Sequence, residues 1–220
     1  MKILTFCMTY RLEPEVVSSL ARQEGVDFFD TFFTKDNPHD GEKRGQYRNM
    51  MINWMKMQEV ALSQKYDKVW MVESDTIPPI DALKKLLEVD APIVSGLYAS
   101  RHGIFSPNVM RKDNCPGLGA IMTWPEVQKD WGKTIECSGG ATGCVLIDKS
   151  VLGGYKFDME AYNDIWGEKT AQSIDVPFME FCWKNGFKQM ARLDVICGHK
   201  RPDGKVIWPD EKRGYRIANA

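Results

Sequence analysis

The 220-residue sequence lacks long apolar runs; Val69-Trp70-Met71-Val72 is typical of the longest. A membrane-spanning helix needs about 18 or more apolar residues, so no transmembrane segment is expected. The sequence also lacks an excess of one charge. It has 29 Lys and Arg against 30 Asp and Glu, a formal net charge of −1. That balance argues against affinity driven by phosphate neutralisation. There is no C-x-x-C pair among Cys7, Cys115, Cys137, Cys144, Cys182 and Cys197. A zinc site is therefore not indicated, and the cysteines are expected to be reduced, mostly buried thiols. Repeats and low-complexity stretches are absent too. Met1 to Met8 is apolar, but Arg11, Glu13 and Pro14 follow at once with no small-residue cleavage site, so a cytoplasmic chain is expected.

What remains is an ordinary globular composition, with 43% hydrophobic and 27% charged residues, enough to build one core without staples. Apolar runs alternate with helical patterns. This predicts an α/β fold with a central, mostly parallel sheet flanked by helices. Ile3 to Thr9 reads as a first strand, and Pro14 opens a helix with Val16, Val17 and Leu20 on its apolar face. Asp27 to Phe33 is a second strand. Tyr47, Met50, Trp54, Met57 and Ala61 recur at helical spacing after a polar loop. Lys68 to Val72, Pro92 to Leu97 and Cys144 to Ile147 read as further strands, with a short helix over Asp81 to Val89. Asp175 to Asn185 reads as a helix ended by Gly186. Lys188 to Leu193 and Val195 to Cys197 are strand-like, and the tail from Arg201 is expected to be irregular. Trp54, Trp70 and Trp183 lie on apolar patterns and are expected in the core. Trp124, Trp131, Trp166 and Trp208 fall in the less regular half, as core or as aromatic faces for a sugar.

The sharpest chemical feature is Glu73-Ser74-Asp75, directly after an apolar strand. In extended backbone, residues i and i+2 face the same side, so the two carboxylates converge. Strand ends in open α/β sheets are where ligands bind, and paired carboxylates suit a hard cation such as Mg²⁺ or Mn²⁺. A plain acidic turn has the same local sequence.

The stretch Tyr66 to Pro79 resembles the DxD region of GT-A glycosyltransferases of the family-2-like branch. Other segments follow in that family's order: Arg48-Asn49 in the preceding helix, Val94 to Tyr98, Gly139 to Ile147, Ile174-Asp175 with Phe178 and Gly186, and Gly198-His199. The first acidic residue is Glu73 rather than Asp, the first strand lacks the usual Pro-x-Tyr-Asn, and Ile174 replaces the usual Glu.

The resemblance implies one GT-A-like, Rossmann-type domain: a nucleotide-binding half over about residues 1–100, an acceptor half over about 101–200 and a polar tail over 201–220. It implies metal-dependent transfer of a sugar from a nucleotide-sugar, of UDP type, to a hydroxyl of an unidentified acceptor (glycan, protein, lipid or nucleic acid). Asp75 and His199 would hold Mn²⁺ or Mg²⁺, and Asp175 would be the general base. Thr9, Tyr10, Arg11, Thr34, Asp36, Arg48, Glu73, Ser74, Gly139, Gly140 and Lys200 would line the nucleotide-sugar site, with Lys200 or Arg201 adding charge near the phosphates. Gly139 and Gly140 would let backbone approach the sugar closely. Two rival readings keep the fold. A sugar-nucleotide nucleotidyltransferase would carry a glycine-rich stretch after the first strand, and Cys7 to Arg11 contains no glycine. A degenerate carbohydrate- or nucleotide-binding protein would have lost Asp75, Asp175 or His199.

Overall fold

The structure is a computed structural model that describes residues 1–8, 13–26, 29–34, 37–42, 45–63, 65–101, 104–140, 142–158 and 175–219. Its larger sheet has eight strands in the order β2-β1-β3-β8-β5-β9-β7-β6. These are β1 (Ile3–Met8), β2 (Asp30–Thr34), β3 (Lys68–Glu73), β5 (Ile93–Leu97), β6 (Val109–Arg111), β7 (Thr134–Gly140), β8 (Cys144–Asp148) and β9 (Gln189–Ile196). Six strands run one way; only β8 and β7 run against them. The sheet is thus mixed but mostly parallel in direction. Antiparallel β8 lies between β3 and β5, so the two halves anticipated from sequence share one sheet.

The strands read as continuous apolar runs because both sheet faces are covered. Every residue of β1 is buried. Successive side chains alternate faces. Leu4, Phe6 and Met8 therefore join Val69 and Met71 of β3 in one apolar layer, while Ile3, Cys7, Trp70 and Val72 join the other. The first layer is completed by α2 (Gly45–Ser63), α5 (Lys149–Gly154) and α6 (Asp175–Lys184), the second by α1 (Pro14–Ala21) and α3 (Ala82–Leu87). Met51, Trp54, Met57, Val60 and Ala61 bring one face of α2 into the core. Trp54 is fully buried, its ring 4.8 Å from Phe157 and 5.5 Å from Phe178. Truncating such a side chain costs about 3–5 kcal/mol.

A second, antiparallel sheet has the order β12-β11-β10-β4: β4 (Thr76–Ile77), β10 (Gly198–Lys200), β11 (Lys205–Asp210) and β12 (Gly214–Asn219). The segment expected to be an irregular tail is therefore a hairpin. Val206 and Ile207 are fully buried and supply the apolar anchor, and Gly214 takes the left-handed φ of +82° that closes the turn. The short helix α4 (Trp124–Lys129) lies in the stretch without clear periodicity. Its start is fixed by Glu126, which accepts from the Thr123 backbone N–H at 2.7 Å.

Helix α6 ends one residue before the expected Asn185, and Gly186 follows at φ +71°. Gln189–Ile196 is one strand rather than two. Trp54 and Trp70 are in the core as expected, but Trp183 is 38% exposed: it lies on the solvent side of α6, where its indole N–H donates to the Lys112 carbonyl at 3.3 Å. Trp166 lies outside the described residues. Five of the six cysteines are buried and all are free thiols; Cys115 is exposed. Among the described residues no helix is long and apolar enough to cross a membrane.

Candidate metal centre

The site forms where the two sheets meet. Strand β3 delivers Glu73 at its last position, and the Ser74 N–H is fixed to the Met8 carbonyl at 3.0 Å. The chain then enters β4, which pairs with β10 in the register His199↔Thr76 and Gly198↔Ile77. The Lys200 N–H continues that pairing to the Asp75 carbonyl at 2.7 Å. His199 thereby comes beside Asp75. One ligand atom each from Glu73, Asp75 and His199 lies within 4.8 Å of the others.

The histidine is oriented. Its Nδ1 lies 2.7 Å from the Ala99 carbonyl, so Nδ1–H donates there and Nε2 faces Asp75 Oδ1 at 3.6 Å. A backbone carbonyl on one ring nitrogen is the usual support for a metal-binding imidazole. Tyr98 fixes the ring from the side, edge-on at 5.2 Å, and its hydroxyl accepts the Gly143 N–H at 3.0 Å. A β-carbon on Gly143 would lie 2.7 Å from Thr76 Oγ1 and 2.8 Å from the Tyr98 ring, so glycine is required for this close approach.

The electrostatics follow from burial and crowding. Burial first, and then the neighbouring charge of Asp75, push Glu73 up to about 7. Burial alone would raise Asp75 as well. Its hydrogen bond and charge interaction with His199, together with the Arg101 charge, hold it below the ordinary value. Burial opposes the His199 charge, but Asp75 outweighs it and raises the imidazole. Two carboxylates and the imidazole Nε2 form a donor set of the kind that holds a divalent metal ion. The guanidinium of Arg101 pairs with Asp75 Oδ2.

Asp175 opens α6 and is buried. Burial raises Tyr98 first, and the charges of Glu73 and Asp175 add to that; Asp175 adds a smaller push to Glu73. Other residues expected at the site make contacts of their own. Arg48 pairs with Glu42 at 2.9 Å. Its neighbour Asn49 is buried, accepts the His39 N–H at 3.0 Å and donates to Asp40 at 2.9 Å, ordering the loop before α2. Lys200 sends its ammonium to Glu13 and Glu15, each at 2.8 Å, at the start of α1. Gly139 and Gly140, expected to let backbone approach a sugar, lie in β7. They are buried, and added β-carbons would meet Met179 Sδ at 2.6 Å and Ser95 Oγ at 2.0 Å. Thr34 is buried at the end of β2. Thr9, Tyr10, Arg11 and Asp36 lie outside the described residues.

Sequence reasoning missed Arg101, Tyr98, the Ala99 carbonyl and Thr142, whose hydroxyl is 3.5 Å from Glu73 Oε1. The signal available was position: three of them follow directly on β5, whose C-terminal end lies on the ligand side of the sheet.

No family model matches the sequence, and no curated protein matches it. Among solved structures, the chain is similar to TarS 1–349 from S. aureus, at 14% identity and a TM-score of 0.46, over 88% of this chain and 58% of that one. A structure of TarS 1–349 with UDP gives 15% identity, the same TM-score and the same coverage. The chain is also similar to A197 from STIV, at 15% identity and a TM-score of 0.61, over 100% of this chain and 95% of that one. It shares the overall fold of A197.

Proposed function

We propose that the chain is a glycosyltransferase that moves a sugar from a nucleotide-sugar donor, of UDP type, to a hydroxyl acceptor. The observation that carries this reading is the convergence of Glu73, Asp75 and His199 at a strand end. The order of the sequence motifs supports it. Asp75 and His199, with Glu73, would hold Mn²⁺ or Mg²⁺. When bound, the cation neutralises the charge that builds on the leaving diphosphate.

The chain's own residues do the rest. Glu73, if directed to the nucleotide, accepts hydrogen bonds from the ribose hydroxyls. Asp175 takes the proton from the acceptor hydroxyl as its oxygen bonds to the anomeric carbon; the bond to the diphosphate breaks and its electron pair leaves with that group. This assignment goes with inversion at the anomeric carbon. His199 is held by the Ala99 carbonyl in the tautomer that keeps Nε2 toward Asp75. The nucleotide is read mainly by residues 1–100 and the acceptor mainly by residues 101–200.

Thermal-shift and donor-hydrolysis screening of nucleotide-sugars, with and without Mn²⁺, tests the reading. A UDP-sugar should stabilise the chain only when Mn²⁺ is present. If no nucleotide-sugar stabilises it at any Mn²⁺ concentration, the reading is wrong.

A further inference from the structure

Arg101 makes a contact in this cluster that the reaction just described does not use. Its Nη1 pairs with Asp75 Oδ2, while Asp75 Oδ1 faces His199 Nε2 at 3.6 Å. Both oxygens of the carboxylate are thus engaged. A guanidinium is permanently charged, and its fork fits carboxylate and phosphate alike. It competes directly with any cation that needs the same carboxylate.

The root of Arg101 is fixed. Ala99 bridges to Pro107, the Ser100 N–H donates to the Ser106 carbonyl at 2.8 Å, and the Asn108 N–H donates to the Tyr98 carbonyl at 3.1 Å. The side chain is 33% exposed. A rotamer change about a fixed backbone is enough to re-aim a side chain of this length.

Resting on the glycosyltransferase reading, we propose that Arg101 is a counter-ion that changes partners. It neutralises Asp75 before loading; once Asp75 is given over to a cation, Arg101 turns to the donor's diphosphate and stabilises the leaving group. The same residue then acts with opposite sign at two stages. It weakens the uptake of a bare cation and strengthens the binding of the nucleotide. A residue that only holds the fold together does not produce opposite signs.

The test uses the full chain. Mn²⁺ is titrated without nucleotide and the free ion followed by electron paramagnetic resonance; UDP is then titrated calorimetrically at saturating Mn²⁺. Arg101→Met should bind Mn²⁺ alone about three- to tenfold more tightly and UDP about ten- to a hundredfold more weakly than wild type. Arg101→Lys keeps the charge, so its Mn²⁺ affinity should stay near wild type while its UDP affinity falls between the two. Unchanged or weaker Mn²⁺ binding by Arg101→Met overturns the proposal, as does unchanged UDP binding, while wild-type UDP binding leaves the enzyme reading intact. Wild-type chain that binds no UDP at any Mn²⁺ concentration overturns both.

Discussion

The Nδ1 of His199 lies 2.7 Å from the carbonyl oxygen of Ala99, 100 residues earlier in the chain, and that contact fixes which ring nitrogen faces Asp75. The carbonyl accepts from Nδ1–H and leaves the lone pair on Nε2. Replacing His199 should therefore remove a positioned ligand rather than a packing group. His199→Ala is expected to weaken Mn²⁺ binding by at least about tenfold, read by electron paramagnetic resonance of the free ion. An unchanged Mn²⁺ affinity would take His199 out of the metal centre.

Asp175 is not one of the three clustered donors and is assigned to the acceptor's proton. Asp175→Asn keeps the shape and removes the basicity. Turnover should fall by about a hundredfold or more, while UDP affinity at saturating Mn²⁺ stays at the wild-type value. Loss of UDP binding in step with turnover would assign Asp175 to the donor pocket instead. Retention of anomeric configuration in the product would remove the base role altogether.

Gly143 is held between Thr76 and Tyr98 with no room for a methyl group. Gly143→Ala should destabilise the fold by about 1–3 kcal/mol, measured by urea unfolding. It should also weaken Mn²⁺ binding, because the displaced Tyr98 ring is the one that abuts His199. Tyr98→Phe keeps that ring contact and loses only the hydroxyl that accepts the Gly143 N–H. It should retain Mn²⁺ binding.

Acid should act at a different place. Glu126 is held down to about 2, first by the Arg111 hydrogen bonds and then by the Thr123 backbone N–H and hydroxyl. A carboxyl lowered on folding contributes stability above its ordinary value near 4.5 and loses it as the pH falls through that value toward 2. Wild-type chain should thus lose melting temperature between pH 4.5 and 2 more steeply than Glu126→Gln, which has no proton to gain there. Parallel melting curves for the two across that range would remove Glu126 from the acid response.

The legible parts were those decided by local pattern. β1, β3 and α2 announce themselves because their apolar spacing matches the faces they bury; Glu73 closes β3 as read, but Asp75 sits in the turn before β4, so the pair converges through that turn rather than through the two-residue period of a strand. His199 was reached through motif order alone, since a three-residue strand such as β10 has no period to read. Its register against Thr76 is set by tertiary pairing. Arg101 was illegible for a related reason: nothing in a polar stretch says which carboxylate a long side chain will meet. Lys200 illustrates the converse. It stands beside His199 in sequence, yet β10 turns alternate side chains to opposite faces and delivers its ammonium to Glu13 and Glu15. Gly139 and Gly140 look like loop glycines in sequence; only the packing against Met179 and Ser95 shows them as strand residues.

The insertion of β8 between β3 and β5 has a consequence for biosynthesis. While the first hundred residues emerge from the ribosome, β1, β2 and β3 can pair, but β5 has no edge to join until residues 144–148 arrive. His199 arrives later still, with the strands that close the second sheet. The three donors therefore come together only after β10 has emerged, and a nascent or truncated product that ends before β10 holds the acidic pair without its imidazole.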